Sequence, residues 1–383
     1  MEILSSLKKN SPDLIALFTG KMPQFIYGCK NFKDIPVFCF HSARFPDFEK
    51  QLLFLNDNGY KTLDSRELLN RLRDKTYKNN GKEIVLTFDD GMASVWTVAY
   101  PLLQKYKQKI ISFILPGLIG DKSPSKTIAD SCNEQEKVLL INRDFSEQPL
   151  CNWSEIKIMH DSGLVDFQSH GLAHRLVAKS NKIVDFIHPQ YDTYHYGNIH
   201  VPTYYVNNSP TREPVLGHPV YESQPILSLN KRFDDDYQFR TKCSEYVTNN
   251  GGIDFFSSHQ WREKLSEFAK ENAPTLIQYT SVEGEIVKEL KESKAIIESK
   301  LNKKVTHFCF PWFAASLNSA VYANEAGYDG IHLGSTNGFH INNLNDEVPI
   351  CITRLQEEYL LALPGYRNFL SVIKYKLRKS ANW

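Results

Sequence analysis

Two apolar rhythms alternate along much of this chain. A β-type run from Ile35 to Phe40 gives way to Phe48, Leu52 and Leu55, which share one helical face that stops at Gly59. Ile84 to Phe88 reads as a second strand, Val95, Ala99, Leu102, Leu103 and Tyr106 as one helical stripe, and Ile110 to Leu115 as a third strand. Asn152 and Glu155 have capping-box spacing, and the helix they open stops at Gly163 before a strand from Leu164 to Gln168. Later come a charged amphipathic helix from Glu285 to Leu301, a strand from Val305 to Phe310, a helix from Ser316 to Ala326 and a strand from Tyr328 to Leu333. Strands joined by helical crossovers run parallel, so the pattern predicts an α/β protein, either a doubly wound sheet or a (β/α) barrel. The glycine-rich fingerprints of dinucleotide and phosphate binders are absent.

Between Ser180 and about Gly284 the alternation stops. This stretch is rich in Tyr, Pro, His and Asn, with one helix predicted from His259 to Asn272. A structureless loop of that length does not suit a compact domain. It reads as an elaborated insertion packed over the barrel mouth.

Composition narrows the classes. Lys+Arg 45 against Asp+Glu 44 leaves a net charge of +1 over 383 residues, which gives no reason to expect a nucleic-acid partner. The apolar stretch from Ile110 to Gly120 is far shorter than the ~20 residues of a membrane span. The seven cysteines are scattered without a Cys-x-x-Cys pair, and Lys8 and Lys9 follow the first apolar patch instead of preceding it. Both features predict a cytoplasmic protein with reduced thiols. From Tyr359 onward there is no acid, and Arg367, Lys374, Lys376, Arg378 and Lys379 stand beside Phe369, Leu370, Val372, Ile373 and Leu377. That composition predicts weak peripheral membrane contact through the C-terminal tail.

In parallel α/β folds, functional groups stand just past the C-terminal ends of strands. His41, Asp89-Asp90-Gly91, His170 with His174, and Pro311-Trp312 each follow a different predicted strand. Adjacent carboxylates repel unless a cation or proton lies between them. Two histidines four apart can face one ion, and with a carboxylate they form a donor set suited to Zn²⁺ with positions left for water and substrate.

Thr87-Phe88-Asp89-Asp90-Gly91 and Ser169-His170-Gly171-Leu172-Ala173-His174 resemble the first two signatures of the polysaccharide deacetylases, carbohydrate esterase family four. The similarity runs from about Ile35 through Gly120, resumes from Asn152 to His174, and returns from His307 to Asp329. The resemblance implies a distorted (β/α) barrel of about seven parallel strands. The segments are then an N-terminal extension (1–34), two barrel portions (35–179 and 285–358) split by the insertion (180–284), and a basic tail (359–383). It implies one divalent metal, zinc being the expected ion, with Asp90, His170 and His174 as ligands and Asp89 as the base that activates metal-bound water. The Trp312 N–H would hold the oxyanion. The base needs a pKa near working pH for that task.

Two departures from the family pattern stand out. Where the third motif commonly carries an Arg that orients the base, this chain has Cys309, and Arg354 is the substitute candidate. No histidine follows His340, so the family's late general acid is missing and His41 is the replacement candidate. The expected function is removal of an N-acetyl group from an amino sugar of a glycan or glycolipid intermediate. The alternatives are an O-acetyl esterase or a deformylase using the same site, and a catalytically inactive glycan-binding barrel.

Overall fold

The computed structural model describes residues 23–27, 29, 34–193, 197–206, 209–334 and 349–365. Seven strands form the frame: β1 (Val37–Phe40), β2 (Glu83–Phe88), β3 (Ile110–Ile114), β4 (Val165–Ser169), β5 (His307–Cys309), β6 (Gly330–Gly334) and β7 (Ile350–Gln356). Each pairs in parallel with the next, and β7 pairs back to β1, which closes the barrel. The predicted barrel is therefore the observed one. Its distortion lies between β4 and β5, where the register holds through Phe308 and Ser169 alone and where the insertion leaves the barrel.

Alternation along each strand divides the side chains between two cores. Val37, Val85, Ile111, Phe113, Cys309, Ile350 and Ile352 form the inner cluster. Helix α1 (Asp47–Asp57) packs outside the barrel through Phe48, Leu52 and Leu55, members of a larger cluster with Phe38, Phe40, Leu86 and Phe88. Each fully buried leucine here contributes about 2 kcal/mol. Helix α2 (Ser65–Arg73) begins in a full capping box of Asp64 and Glu67, and its Leu68, Leu69 and Leu72 join the inner cluster. The stripe from Val95 to Tyr106 is one π-turn (Val95–Ala99) running into α3 (Tyr100–Tyr106). Beyond α4 (Glu134–Ile141), the box of Asn152 and Glu155 opens α5 (Trp153–Asp161) as predicted.

The insertion is more ordered than its sequence suggests. It begins within a long strand, Leu176–Phe186, which pairs antiparallel with Pro219–Pro225. It also holds α6 (Tyr237–Asn249), which the sequence reading missed, and α7 (Trp261–Asn272), which it predicted. Phe239, Cys243 and Val247 of α6 pack with Trp261, Leu265 and Ala269 of α7 into a small core of their own. Three buried residues of the segment, Ile226, Leu227 and Val282, instead join the barrel cluster, beside helix α8 (Glu283–Leu301).

The outer boundaries also shift. Phe25 and Ile26 lie in the barrel cluster, with Phe25 edge-on to Phe38 at 6.2 Å, so the barrel recruits residues from the proposed extension. Tyr359, Leu360 and Leu363 are core residues as well, so the basic tail starts later than Tyr359. The tail's cations lie outside the described residues. Among the described residues no helix is long and apolar enough to cross a membrane.

Candidate metal centre

The ends of β1, β2, β4, β5 and β7 converge on one buried layer. Asp89 follows β2 directly, and its N–H donates to Phe40 O of β1 at 2.9 Å. Asp90 then turns with φ 68°, and Gly91 with φ 75°. A Cβ at Gly91 would come within 2.9 Å of the Ile114 side chain, so this turn requires glycine on two counts. His174, Trp312 and Phe313 also have positive φ, which places at this site four of the seven such non-glycine residues among the described residues. Concentrated backbone strain of this kind marks functional sites.

Ligand-type atoms of Asp90, His170 and His174 all lie within 4.8 Å of one another, and all three residues are buried. The Nε2 atoms of His170 and His174 stand 3.4 and 3.7 Å from Asp90 Oδ1. His170 Nδ1 lies 2.9 Å from Cys309 O. A carbonyl can only accept, so Nδ1 carries the proton and Nε2 presents its lone pair toward Asp90, as metal-bound histidines do. Burial lowers both imidazoles, against the raising effect of nearby carboxylates, and pushes His174 down to about 3. Two neutral imidazoles and a carboxylate converging on one point fit a divalent cation.

A second trio, Asp89, His170 and Cys309, is also compact. It fits an ion less well. Burial pushes the Cys309 thiol well up, which keeps it protonated, and both Asp89 oxygens are already engaged.

Arg354 is what engages them. Its Nη1 and Nη2 donate to Asp89 Oδ1 and Oδ2 at 2.6 and 2.9 Å, a two-pronged pair with both side chains buried. Arg354 lies within β7, where the alternation Ile350, Ile352, Arg354 turns it into the barrel. Thus the replacement for the missing third-motif Arg comes from two strands away, and Cys309 at the family position lies 3.8 Å from the same carboxylate. Burial would raise the Asp89 carboxyl, but Arg354, followed by His170, reverses this and holds it well below the usual carboxylate range. The guanidinium stabilises the ionised form of this carboxylate.

The remaining predicted residues are at the rim. Trp312 is partly exposed, and its ring lies 3.6 Å from that of His174. His41 is exposed and interacts electrostatically with both Asp89 and His174.

Three supporting residues escaped the sequence reading. Cys39 Sγ lies 3.5 Å from Asp89 Oδ2. Glu289 and Ser293, on the buried face of α8, hold the histidine loop: Leu172 N–H donates to Glu289 Oε1 at 3.3 Å, and the Ser169 and Ser293 hydroxyls are 2.8 Å apart. The available signal was a Glu and a Ser interrupting the apolar stripe Ile286, Leu290, Ile297.

A closed parallel barrel carries at its strand ends a His-His-Asp trio that could hold a metal ion and a second, Arg-clamped Asp, the makings of a hydrolase site. The family model described as polysaccharide deacetylase matches residues 76–188, which contain both signatures. That segment of the chain is thus similar to the polysaccharide deacetylase family. The poly-beta-1,6-N-acetyl-D-glucosamine N-deacetylase of Staphylococcus aureus is 26% identical over 162 residues, covering 41% of this chain and 46% of that protein. YxkH of Bacillus subtilis, named after the same family, is 37% identical over 97 residues, 23% of this chain and 34% of its own length. The matches thus span less than half of these relatives. Among solved structures, IcaB from Ammonifex degensii has a TM-score of 0.48 at 16% identity, covering 88% of this chain and 99% of that one.

Proposed function

We propose that this chain is a metal-dependent hydrolase that removes N-acetyl groups from amino sugars of a glycan or glycolipid intermediate. The observation that carries the reading is the juxtaposition of the Asp90, His170 and His174 donors with an Asp89 that Arg354 holds ionised and fixed. Zinc or a similar divalent ion, held by that trio, would supply Lewis acidity toward the amide oxygen and toward water. Asp89 accepts the proton of the attacking water. Arg354 fixes its carboxylate and limits its basicity, so proton transfer to Asp89 is favoured only from a strongly acidified water. The Trp312 N–H donates to the oxyanion as the carbonyl carbon becomes tetrahedral. His41, at the open rim, donates a proton to the departing amine.

The name of the S. aureus relative makes β-1,6-linked N-acetylglucosamine oligomers the first substrate to test. Metal-loaded protein should release acetate from them, and not from O-acetylated sugars. Release from O-acetyl sugars alone would replace this reading with an esterase. No release from either class, with the metal bound, would favour a glycan-binding barrel.

A further inference from the structure

Beside the metal loop, the insertion encloses a cavity of about 740 Å³. Leu172 and Ala173, which lie between the two histidine ligands, form part of its wall with Gly117, Leu118 and Arg175 of the barrel portion, and the rest comes from the insertion and α8. Four cations line it: Arg175, Arg212, Arg232 and Lys288. Two are already neutralised. Arg175 pairs with Glu285 at 3.1 Å and Glu289 at 2.9 Å, and Arg232 pairs with Glu285 at 3.1 Å and with Asp234. Arg212 and Lys288 form no ion pair among the described residues. Glu292 is the remaining acid in the wall.

Two atoms in this wall are buried without a hydrogen-bond partner: Arg212 Nη1 and the hydroxyl of Thr203, a residue only 4% exposed. Burial lowers the Arg212 guanidinium to about 10, with Glu289 opposing and Arg175 adding to the fall. A guanidinium remains charged there at any ordinary pH, and leaving its donors unmatched costs free energy. A bound oxyanion would satisfy them in the forked geometry that arginine favours. Thr211, Thr280 and Ser281 add hydroxyls, and the Tyr205 ring lies beneath Arg232 at 3.6 Å. Hydroxyls and one aromatic face beside two cations that lack an ion pair suit an anionic saccharide more than a bare ion.

We propose that this cavity is a second binding site, for an anionic saccharide whose carboxylate or phosphate is received by Arg212 and Lys288 and whose hydroxyls meet Thr203 and its neighbours. Binding is read directly, so the proposal stands or falls apart from the deacetylase reading. Calorimetric titration of the full chain with glucuronate, glucose 6-phosphate, glucose and inorganic phosphate tests it. At least one of the two acidic sugars should bind roughly tenfold more tightly than glucose and than inorganic phosphate. Which of them does so tells a carboxylate source from a phosphate source. Arg212→Gln should weaken that binding by roughly tenfold or more, while its metal content and melting temperature stay at wild-type values. Lys288→Gln, on the exposed side of an already folded helix, gives a second reading and should weaken it less. Failure of both acidic sugars to bind at about 10 mM, equal affinity for glucose or inorganic phosphate, or unchanged affinity in a folded Arg212→Gln protein would overturn the proposal.

Discussion

Two adjacent carboxylates acquire different tasks here because their neighbours differ. Asp90 faces two imidazole nitrogens, whereas Asp89 faces a guanidinium and two thiols. Asp89→Asn should therefore keep bound metal near stoichiometric while turnover falls by roughly 10³-fold. Asp90→Asn and His174→Ala should lose both, since two remaining protein donors hold zinc poorly. Metal analysis beside acetate release separates the cases, and equal metal loss in both Asp variants would mean that the roles are shared. Arg354 is a sharper test of the clamp. Arg354→Met strands the Asp89 charge in the barrel, so unfolding stability should fall by about 3–5 kcal/mol. Adding Asp89→Asn to that variant should recover part of the loss, and the urea midpoints of the four proteins measure the coupling.

At the scale of elements, strands β5 and β6 are cross-linked inside the barrel by a histidine pair, His307 Nδ1 and His332 Nε2 at 2.7 Å. Both are fully buried, and burial lowers both, His307 to about 4 and His332 well below its ordinary value. Unfolded histidines take up a proton near pH 6.5. As pH drops from neutrality toward 4, the unfolded chain binds protons that the folded pair refuses. Stability is therefore intact above the unfolded value and falls through that window, by up to about 1.4 kcal/mol per pH unit for each histidine. Urea midpoints at about pH 7 and pH 5 should show a steeper decline in the wild type than in a His307→Leu/His332→Leu double variant. Equal slopes would remove the pair as the cause.

On the scale of the whole molecule, the insertion is tied to the barrel and is not merely laid across it. Leu227 belongs to the barrel cluster, and its carbonyl accepts from Ser316 N–H at 3.2 Å and from the Ser319 hydroxyl. Leu227→Ala should lower global stability by about 2–5 kcal/mol, visible as a single shifted unfolding transition. Loss confined to an early, separate transition would show that the insertion unfolds on its own. The acid-free residues beyond 365 carry the membrane proposal: co-sedimentation with anionic vesicles should be salt-sensitive and should drop when 366–383 are removed. Unchanged sedimentation would dispose of it.

Periodicity alone determined the parallel α/β character of this protein and six of its seven barrel strands, because burial on one face imposes a local repeat that survives in the linear sequence. The trio of Asp90, His170 and His174 was nameable because they sit in short motifs at strand ends that resemble a known family's signatures, and the resemblance, not the spacing, separated Asp90 from Asp89. Arg354 could be named as a candidate, yet its partner could not be read from the sequence, since the contact with Asp89 spans 265 positions and exists only because β7 closes onto β1. The same holds for Glu289 behind the histidine loop and for the paired His307 and His332, polar residues whose partners come from other elements. In the insertion the fold comes from irregular strands and a two-helix core, and no single repeat announces it. Local burial patterns are written along a chain, but which charge is neutralised, and which is left to find a ligand, is decided by the distances that folding creates.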